Sequence, residues 1–267
     1  MSSKPSLKIL QISDLHILPE PADTMLGLDT EYYFQACLRH AHQHFDAFDL
    51  ILVTGDLAQD PCPGSYQRIF QHLKNYQTPC LCLPGNHDDF ALMSEYLNQD
   101  QITCSKLLQL NGWQIIALNS QKQASPVGKL SPDELAFLQK TLSAGPDMLP
   151  TLIALHHPCI ATGSAWLDMM QIENSAEFLA VLQNFPQVKA VTCGHVHQEI
   201  YAEIDQIKLF SAPASCFQFT PKSIDFSIDD TAPGYRIFEL HADGSLKSEC
   251  HRLPVTLETL DRSARQY

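Results

Sequence analysis

Short apolar runs recur along this chain, and several end in Asp, His or Asn. Leu7–Ile12 reads as a first strand, with Asp14 and His16 just beyond it. On an extended backbone, alternation would put those two side chains on one side. Phe34, Cys37, Leu38 and Ala41 recur at helical spacing and predict a helix over residues 30–45. Residues 49–54 form a second strand, whose unbroken apolar run points to burial on both faces. Gly55 and Asp56 close it. A Pro-Cys-Pro-Gly turn over residues 61–64 leads into a helix ending near Asn75. Cys80–Leu83 is a third strand that delivers Gly85-Asn86-His87-Asp88, and a short helix over Phe90–Leu97 follows.

Leu107–Leu110 and residues 113–118 make a hairpin across Asn111-Gly112, a strong turn signal. Ser131, Pro132 and Glu134 mark a helix start by cap, first-turn proline and capping box. Leu135, Leu138 and Leu142 supply its apolar stripe. Residues 152–155 read as a buried strand ending at His156, 163–171 as a loop, 175–185 as a helix, and Val188–Cys193 as a strand leading to His195 and His197. The remainder is mostly strand: 199–204, Ile207–Ser211, 215–219, 235–240 and 246–253, the last entered through Asp243-Gly244. The polar tail after Pro254 is expected to fray or cover an edge.

Strand–helix alternation in the first half predicts parallel βαβ units, with an all-strand addition behind them. No repeat, low-complexity tract or linker divides the chain, so residues 1–267 are expected to form one domain. A hydrophobic fraction of 45% is enough for a substantial core. The net charge of -13 disfavours nucleic acid or an anionic membrane as partner, since affinity for phosphate backbones comes largely from Lys and Arg. A small anion in a locally positive cleft stays open. The 9 cysteines include no C-x-x-C pair and read as reduced, core-filling thiols of a cytoplasmic protein. The polar start over residues 1–6 lacks a secretory apolar core, and no apolar stretch is long enough to span a bilayer.

Ligands in open α/β sheets gather beyond the carboxyl ends of the strands. Asp14, His16, Asp56, Asn86, His156, His195 and His197 all fall there. These seven candidates are too many for one four-coordinate ion and suit two ions sharing a carboxylate. Imidazole and carboxylate donors without thiolate favour iron, manganese, zinc or cobalt over copper(I) or an iron–sulfur cluster. His157, next to His156, is either a loop-packing residue or an outer support of the metals.

Taken in order, D-x-H, G-D, G-N-H-D, H and G-H-x-H resemble the calcineurin-like metallophosphoesterase superfamily. The similarity is closer still to the bacterial class III 3′,5′-cyclic AMP phosphodiesterases. It extends to residues 10–14, 54–60, 83–88, 164–168, 193–199, 232–236 and 239–244, the last two remote from any ligand motif. The resemblance implies an α/β fold, a four-layer α/β/β/α sandwich of two mixed sheets flanked by helices. It implies two divalent or transition metals, iron and manganese first, zinc and cobalt next. Asp14, His16, Asp56 and His197 would hold the first ion; Asp56, Asn86, His156 and His195 would hold the second. His16, Asp56, Asn86, His87 and His197 would face the substrate phosphate, with His87 catalytic rather than ligating.

The implied reaction is attack of a metal-bridging hydroxide on 3′,5′-cyclic AMP to give 5′-AMP. Alternatives are another small diester, such as a 2′,3′-cyclic nucleotide or a glycerophosphodiester, or a silent metal-binding regulator. The implied partner is a small cyclic nucleotide, and the implied assembly a monomer or homodimer. One position departs from the Ser/Thr phosphatase branch, which has an Asp three residues after the bridging Asp to orient the catalytic His. Gln59 stands there, with Asp60 as the possible substitute.

Three further groups have two readings each. Trp166 and Asp168 are a substrate lid or a hydrophobic plug with a loop cap. Phe217 and Phe219 stack on a base or pack a strand. His40, His42 and His44 are expected on a solvated helix face.

Overall fold

The computed structural model describes residues 6–144 and 148–266. The polar start read over residues 1–6 lies, except for Ser6, outside the described residues.

Two six-stranded mixed sheets form the centre. The first contains β1 (Leu7–Ile12), β2 (Leu50–Thr54), β3 (Cys80–Leu83) and β4 (Ile102–Thr103), interleaved in the chain with α1 (Thr30–His44), α2 (Pro63–Lys74) and α3 (Phe90–Leu97). The second contains β5 (Leu107–Leu110), β6 (Trp113–Ala117), β7 (Thr151–Ala154), β8 (Val188–Cys193), β9 (Ile200–Ile204) and β10 (Ile207–Ser211). Its helices are α4 (Pro132–Ser143), the short α5 (Ala165–Asp168) and α6 (Ser175–Leu182). A ribbon of β11 (Gln218–Phe219) and β12 (Ile228–Asp229) follows. The chain then returns to the first sheet with β13 (Gly234–Leu240) and β14 (Leu246–Arg252). β1 pairs parallel with β2 and antiparallel with β13.

The outer face of the first sheet, Leu10, Ile12, Ile51, Val53, Cys80 and Cys82, packs on α1, α2 and α3. The outer face of the second, Ile116, Ile153 and Val191 among others, packs on α4 and α6. Leu7, Ile9, Leu50, Leu52, Leu81, Trp113, Ile115, Leu152 and Ala190 fill the space between the sheets. Helices, sheet, sheet and helices therefore make the expected four layers. Burying each such Leu or Ile is worth about 1.5–3 kcal/mol.

Following the inward face of each strand shows how the site arises. β1 presents Leu7 and Ile9, then Gln11, and Ser13 follows; β2 presents Leu50 and Leu52, then Thr54, and Asp56 follows. β7 presents Leu152 and Ala154 before His156; β8 presents Ala190 and Thr192 before Gly194. The polar layer ties the sheets together. Gln11 Nε2 donates to Thr54 Oγ1 at 2.9 Å and to the Cys193 carbonyl at 3.1 Å, while Thr192 Oγ1 donates to Gln11 Oε1 at 2.7 Å.

Three sequence readings are corrected. Residues 215–219 are not one strand: only Gln218–Phe219 pairs, with the unforeseen Ile228–Asp229. The 163–171 loop contains the single turn Ala165–Asp168. His40 and His42 are half-buried rather than solvated, His40 Nδ1 lying 2.8 Å from Tyr235 Oη and His42 stacked on Tyr76 at 4.0 Å.

Candidate metal centre

Beyond β1 the backbone is not extended. Asp14 has φ 54° and His16 φ 47°, both left-handed, and Asp56, His195 and His197 share that region at 49°, 67° and 47°. Such conformations cost non-glycine residues on the order of 1–2 kcal/mol each, and cluster where the surrounding structure holds them for function. What holds them is visible. Asp14 N–H donates to the Gly55 carbonyl, Leu15 and His16 N–H to the Asp56 carbonyl, and Ile17 N–H to the Leu57 carbonyl, zipping the first two loops together. Asp14 accepts the His195 N–H at 3.0 Å, and Asp56 Oδ1 accepts the His87 N–H at 2.9 Å. Neither aspartate caps a helix; each pins another motif's loop.

The glycines of two motifs serve close approach. A Cβ on Gly85 would lie 2.2 Å from Asp56 Oδ1, and one on Gly194 would lie 2.0 Å from Ser13 Oγ. Both must be bare for the loops to meet.

All seven candidate ligands come together. His156 Nε2 lies 3.2 Å from both Asp56 Oδ2 and Asn86 Oδ1. His197 Nε2 lies 3.5 Å from Asp14 Oδ1 and 3.3 Å from His16 Nε2, which is 3.9 Å from Asp56 Oδ2. The donor atoms of Asp14, Asp56 and His156 lie within 4.8 Å of one another, as do those of His156, His157 and His195 and those of His16, Asp56 and His87. Asn86 and His87 are half-buried, and the other six are buried. Three of the four candidate ligand histidines have Nδ1 held by an oxygen: His16 by Gln59 Oε1 at 2.7 Å, His156 by the Thr54 carbonyl at 2.8 Å, and His197 by the Phe217 carbonyl at 2.8 Å. Amide and carbonyl oxygens only accept, so Nδ1 carries a proton in each and Nε2 is the atom that can face a metal.

The donor set fits metal ions. Asp56 Oδ2 and both ring nitrogens of His195 are buried without a hydrogen-bond partner, an expensive state for polar groups that coordination would relieve. Burial pushes the Asp14 and Asp56 carboxyls up, but His197 beside the first and His156 beside the second hold them below the usual range. Burial pulls His156 down, but Asp56 more than reverses it, to about 9. The carboxylates thus draw positive charge to the point where the donors converge. A dication there would supply it and displace the His156 proton. Burial lowers His16 to about 3 and lowers His195 well below its ordinary value, leaving both as neutral donors.

Some participants were missed. Asp88, quoted only as the end of G-N-H-D, is a buried staple. It accepts the N–H groups of Gly85 at 2.9 Å, Leu57 at 3.0 Å and Ala58 at 3.0 Å, and the Tyr66 hydroxyl at 2.9 Å. Burial, then the Asp56 charge, raises it to about 6. Thr54 and Phe217 act through main-chain carbonyls, which leave no side-chain signal. His157 is buried, with Nδ1 2.8 Å from Ser120 Oγ and Nε2 unpartnered beside His195. Asp60 is exposed, and His87 Nδ1 lies 3.3 Å from the Gln59 carbonyl.

Asp168 takes the cap role, accepting the Thr162 N–H at 2.6 Å and the Gly163 N–H at 3.2 Å. Trp166 packs edge-on against Phe219 at 4.9 Å, and Phe219 stacks on His197 at 4.3 Å. Phe217 and Phe219 are buried and pack against His197.

Comparison with known proteins agrees with this geometry. Residues 7–199 match the calcineurin-like phosphoesterase family, and the chain belongs to it. The particular relatives are narrower. The chain is 40% identical over 253 residues to the 3′,5′-cyclic adenosine monophosphate phosphodiesterase CpdA of Haemophilus influenzae, covering 94% of this chain and 92% of that one. It is 38% identical over 268 residues to CpdA of Escherichia coli K12, covering 100% and 97%. In fold it resembles a dimetal phosphatase of Danio rerio at 12% identity, with TM-score 0.59 over 93% of this chain and 99% of that one.

Proposed function

We propose that this protein hydrolyses 3′,5′-cyclic AMP to 5′-AMP. The observation that carries this is where the similarity stops. The family match ends at residue 199, whereas the likeness to CpdA of E. coli runs through the whole chain, including β13 and β14. The likeness beyond residue 199 goes further than the family match and supports the substrate class.

Asp14, His16, Asp56 and His197 would hold one ion, and Asp56, Asn86, His156 and His195 the other, with iron or manganese the best match. Bound there, the pair would activate water and offset the charge developing on the phosphoryl group. The chain's own contribution is placement. Asp56 faces both donor sets, and neutral His16 and His195 add no charge, so two dications against two carboxylates leave a positive site for a monoanionic diester. His87 sits half-exposed at the mouth, edge-on to His16 at a centroid distance of 5.2 Å. Its Nδ1 donates to a carbonyl, so Nε2 is the atom that would take up a second proton and, from the imidazolium form, pass it to the departing 3′ oxygen. The described residues include no helix long and apolar enough to cross a membrane, and all nine cysteines are unpaired, which fits a reducing cytoplasm.

The test is a substrate panel with metal analysis on purified protein. Chelation should abolish turnover of 3′,5′-cyclic AMP, and manganese or iron should restore it. Cleavage of bis-p-nitrophenyl phosphate with 3′,5′-cyclic AMP left intact would overturn the substrate assignment. His87→Ala should cut turnover by about 10²–10⁴-fold with about two metals per chain retained. Loss of metal in that variant would make His87 a ligand.

A further inference from the structure

Gln59 occupies a position from which it reaches two histidines by different atoms. Its side-chain oxygen lies 2.7 Å from His16 Nδ1, and its main-chain carbonyl lies 3.3 Å from His87 Nδ1. Its own N–H donates to the Ile17 carbonyl at 3.1 Å, which fixes the residue against the loop carrying His16. We propose that Gln59 is a positioning residue for the first metal, its neutral amide oxygen holding His16 by Nδ1 so that Nε2 is the atom turned to the ion, and adding no charge to the site. This rests on the reading that His16 holds that ion.

The physical reason for an amide lies in the charge already present. Asp14 and Asp56 are buried beside His16, and Asp88 is a third buried carboxyl close to Asp56. A carboxylate on Nδ1 would orient the ring equally well, since carboxylates and carbonyls both serve as outer partners of metal-bound histidine. It would also make His16 a stronger donor and add a negative charge near the ions. Both effects reduce the acidity of a bound water and the attraction for an anionic diester. Gln59 separates the two functions: it keeps the orientation and omits the charge. The position that departs from the Ser/Thr phosphatase pattern therefore does its work on a different histidine. The amide serves His16, and the backbone of the same residue serves His87.

The test compares two substitutions by two readouts. Metal-free protein is titrated with Mn²⁺ against a chromophoric chelator, with no nucleotide present. Gln59→Leu removes the acceptor at similar size and should weaken the first ion by about 10–100-fold while sparing the second. Gln59→Glu presents an oxygen whichever way the group turns and should keep both ions. In that variant the acid limb of the kcat/KM profile, measured on bis-p-nitrophenyl phosphate, should move to higher pH.

A Leu variant that folds by circular dichroism and binds both ions as wild type does would overturn the proposal. So would a Glu variant with an unmoved profile. Should Gln59→Leu fail to fold, Gln59→Met carries the same expectation. Failure to hydrolyse 3′,5′-cyclic AMP would sink the substrate assignment alone, because the titration contains no nucleotide.

Discussion

The two ends of the space between the sheets are built from the same strands and do opposite things. At one end Leu7, Ile9, Leu50, Leu52 and Leu152 interlock as an apolar slab. At the other, in the loops just beyond the same strands, stand Asp14, Asp56, His156 and His195, all buried. Between them Gln11, Thr54 and Thr192 form a hydrogen-bonded partition. The slab gains free energy by leaving water. The polar end loses it through buried carboxylates and left-handed backbones at Asp14, His16, Asp56, His195 and His197. Left-handed residues elsewhere, such as Asn111 and Asp205, lie at exposed turns. A rigid slab allows a strained, charged end to persist without relaxing.

That contrast can be broken at either end. The largest effect is expected from Asp56→Asn, which removes the carboxylate facing both donor sets. Metal content should fall from about two towards zero, and turnover should fall by at least about 10³-fold, the scale of losing a main electrostatic stabiliser. The metal-free melting temperature should hold or rise, because a buried charge is gone. Leu52→Ala, in the slab, should do the reverse. It should cost about 2–5 kcal/mol of stability by denaturant titration, with two metals still bound to the folded fraction.

Gln11→Leu tests the partition. It strands the Thr54 and Thr192 hydroxyls and the Cys193 carbonyl, so a loss of about 1–3 kcal/mol is expected, with a smaller loss of metal affinity through Thr54 and His156. An effect on metals alone would mean that the partition belongs to the site and not to the scaffold.

Glu31→Gln, remote from both ends, should have the smallest effect. Burial pushes the Glu31 carboxyl up, but hydrogen bonds from His72 and Arg68 outweigh it and hold the carboxyl low. A depressed carboxyl stabilises above its unfolded value and loses that contribution as pH falls through the folded value. The variant should therefore cost no more than about 1 kcal/mol near neutral pH, given solvent screening, and nothing in acid. Melting curves at the two pH values would check it.

Much of this was legible in the chain. Periodicity placed β1, β2, β3, α1 and α4 within a residue or so, because each has an apolar face long enough to show its period. Short or weakly patterned pieces were lost. β4 and β12 have two residues each, and residues 215–217 look like strand but have no strand beside them. At the centre, ligand types and their place after strands were readable, but supports were not. Asp88 works on four donors from three segments, and Thr54 and Phe217 work through carbonyls every residue possesses.

By itself the sequence determined the strand–helix alternation and the candidate donors, since apolar period and ligand chemistry belong to neighbouring residues and need no partner to be read. Only the folded chain decided which donors face one another, that β13 and β14 return beside β1, and that Gln59 holds His16. Those outcomes depend on loops far apart in the chain meeting in left-handed turns, and the energy that fixes such turns comes from contacts that do not exist until the sheets have packed.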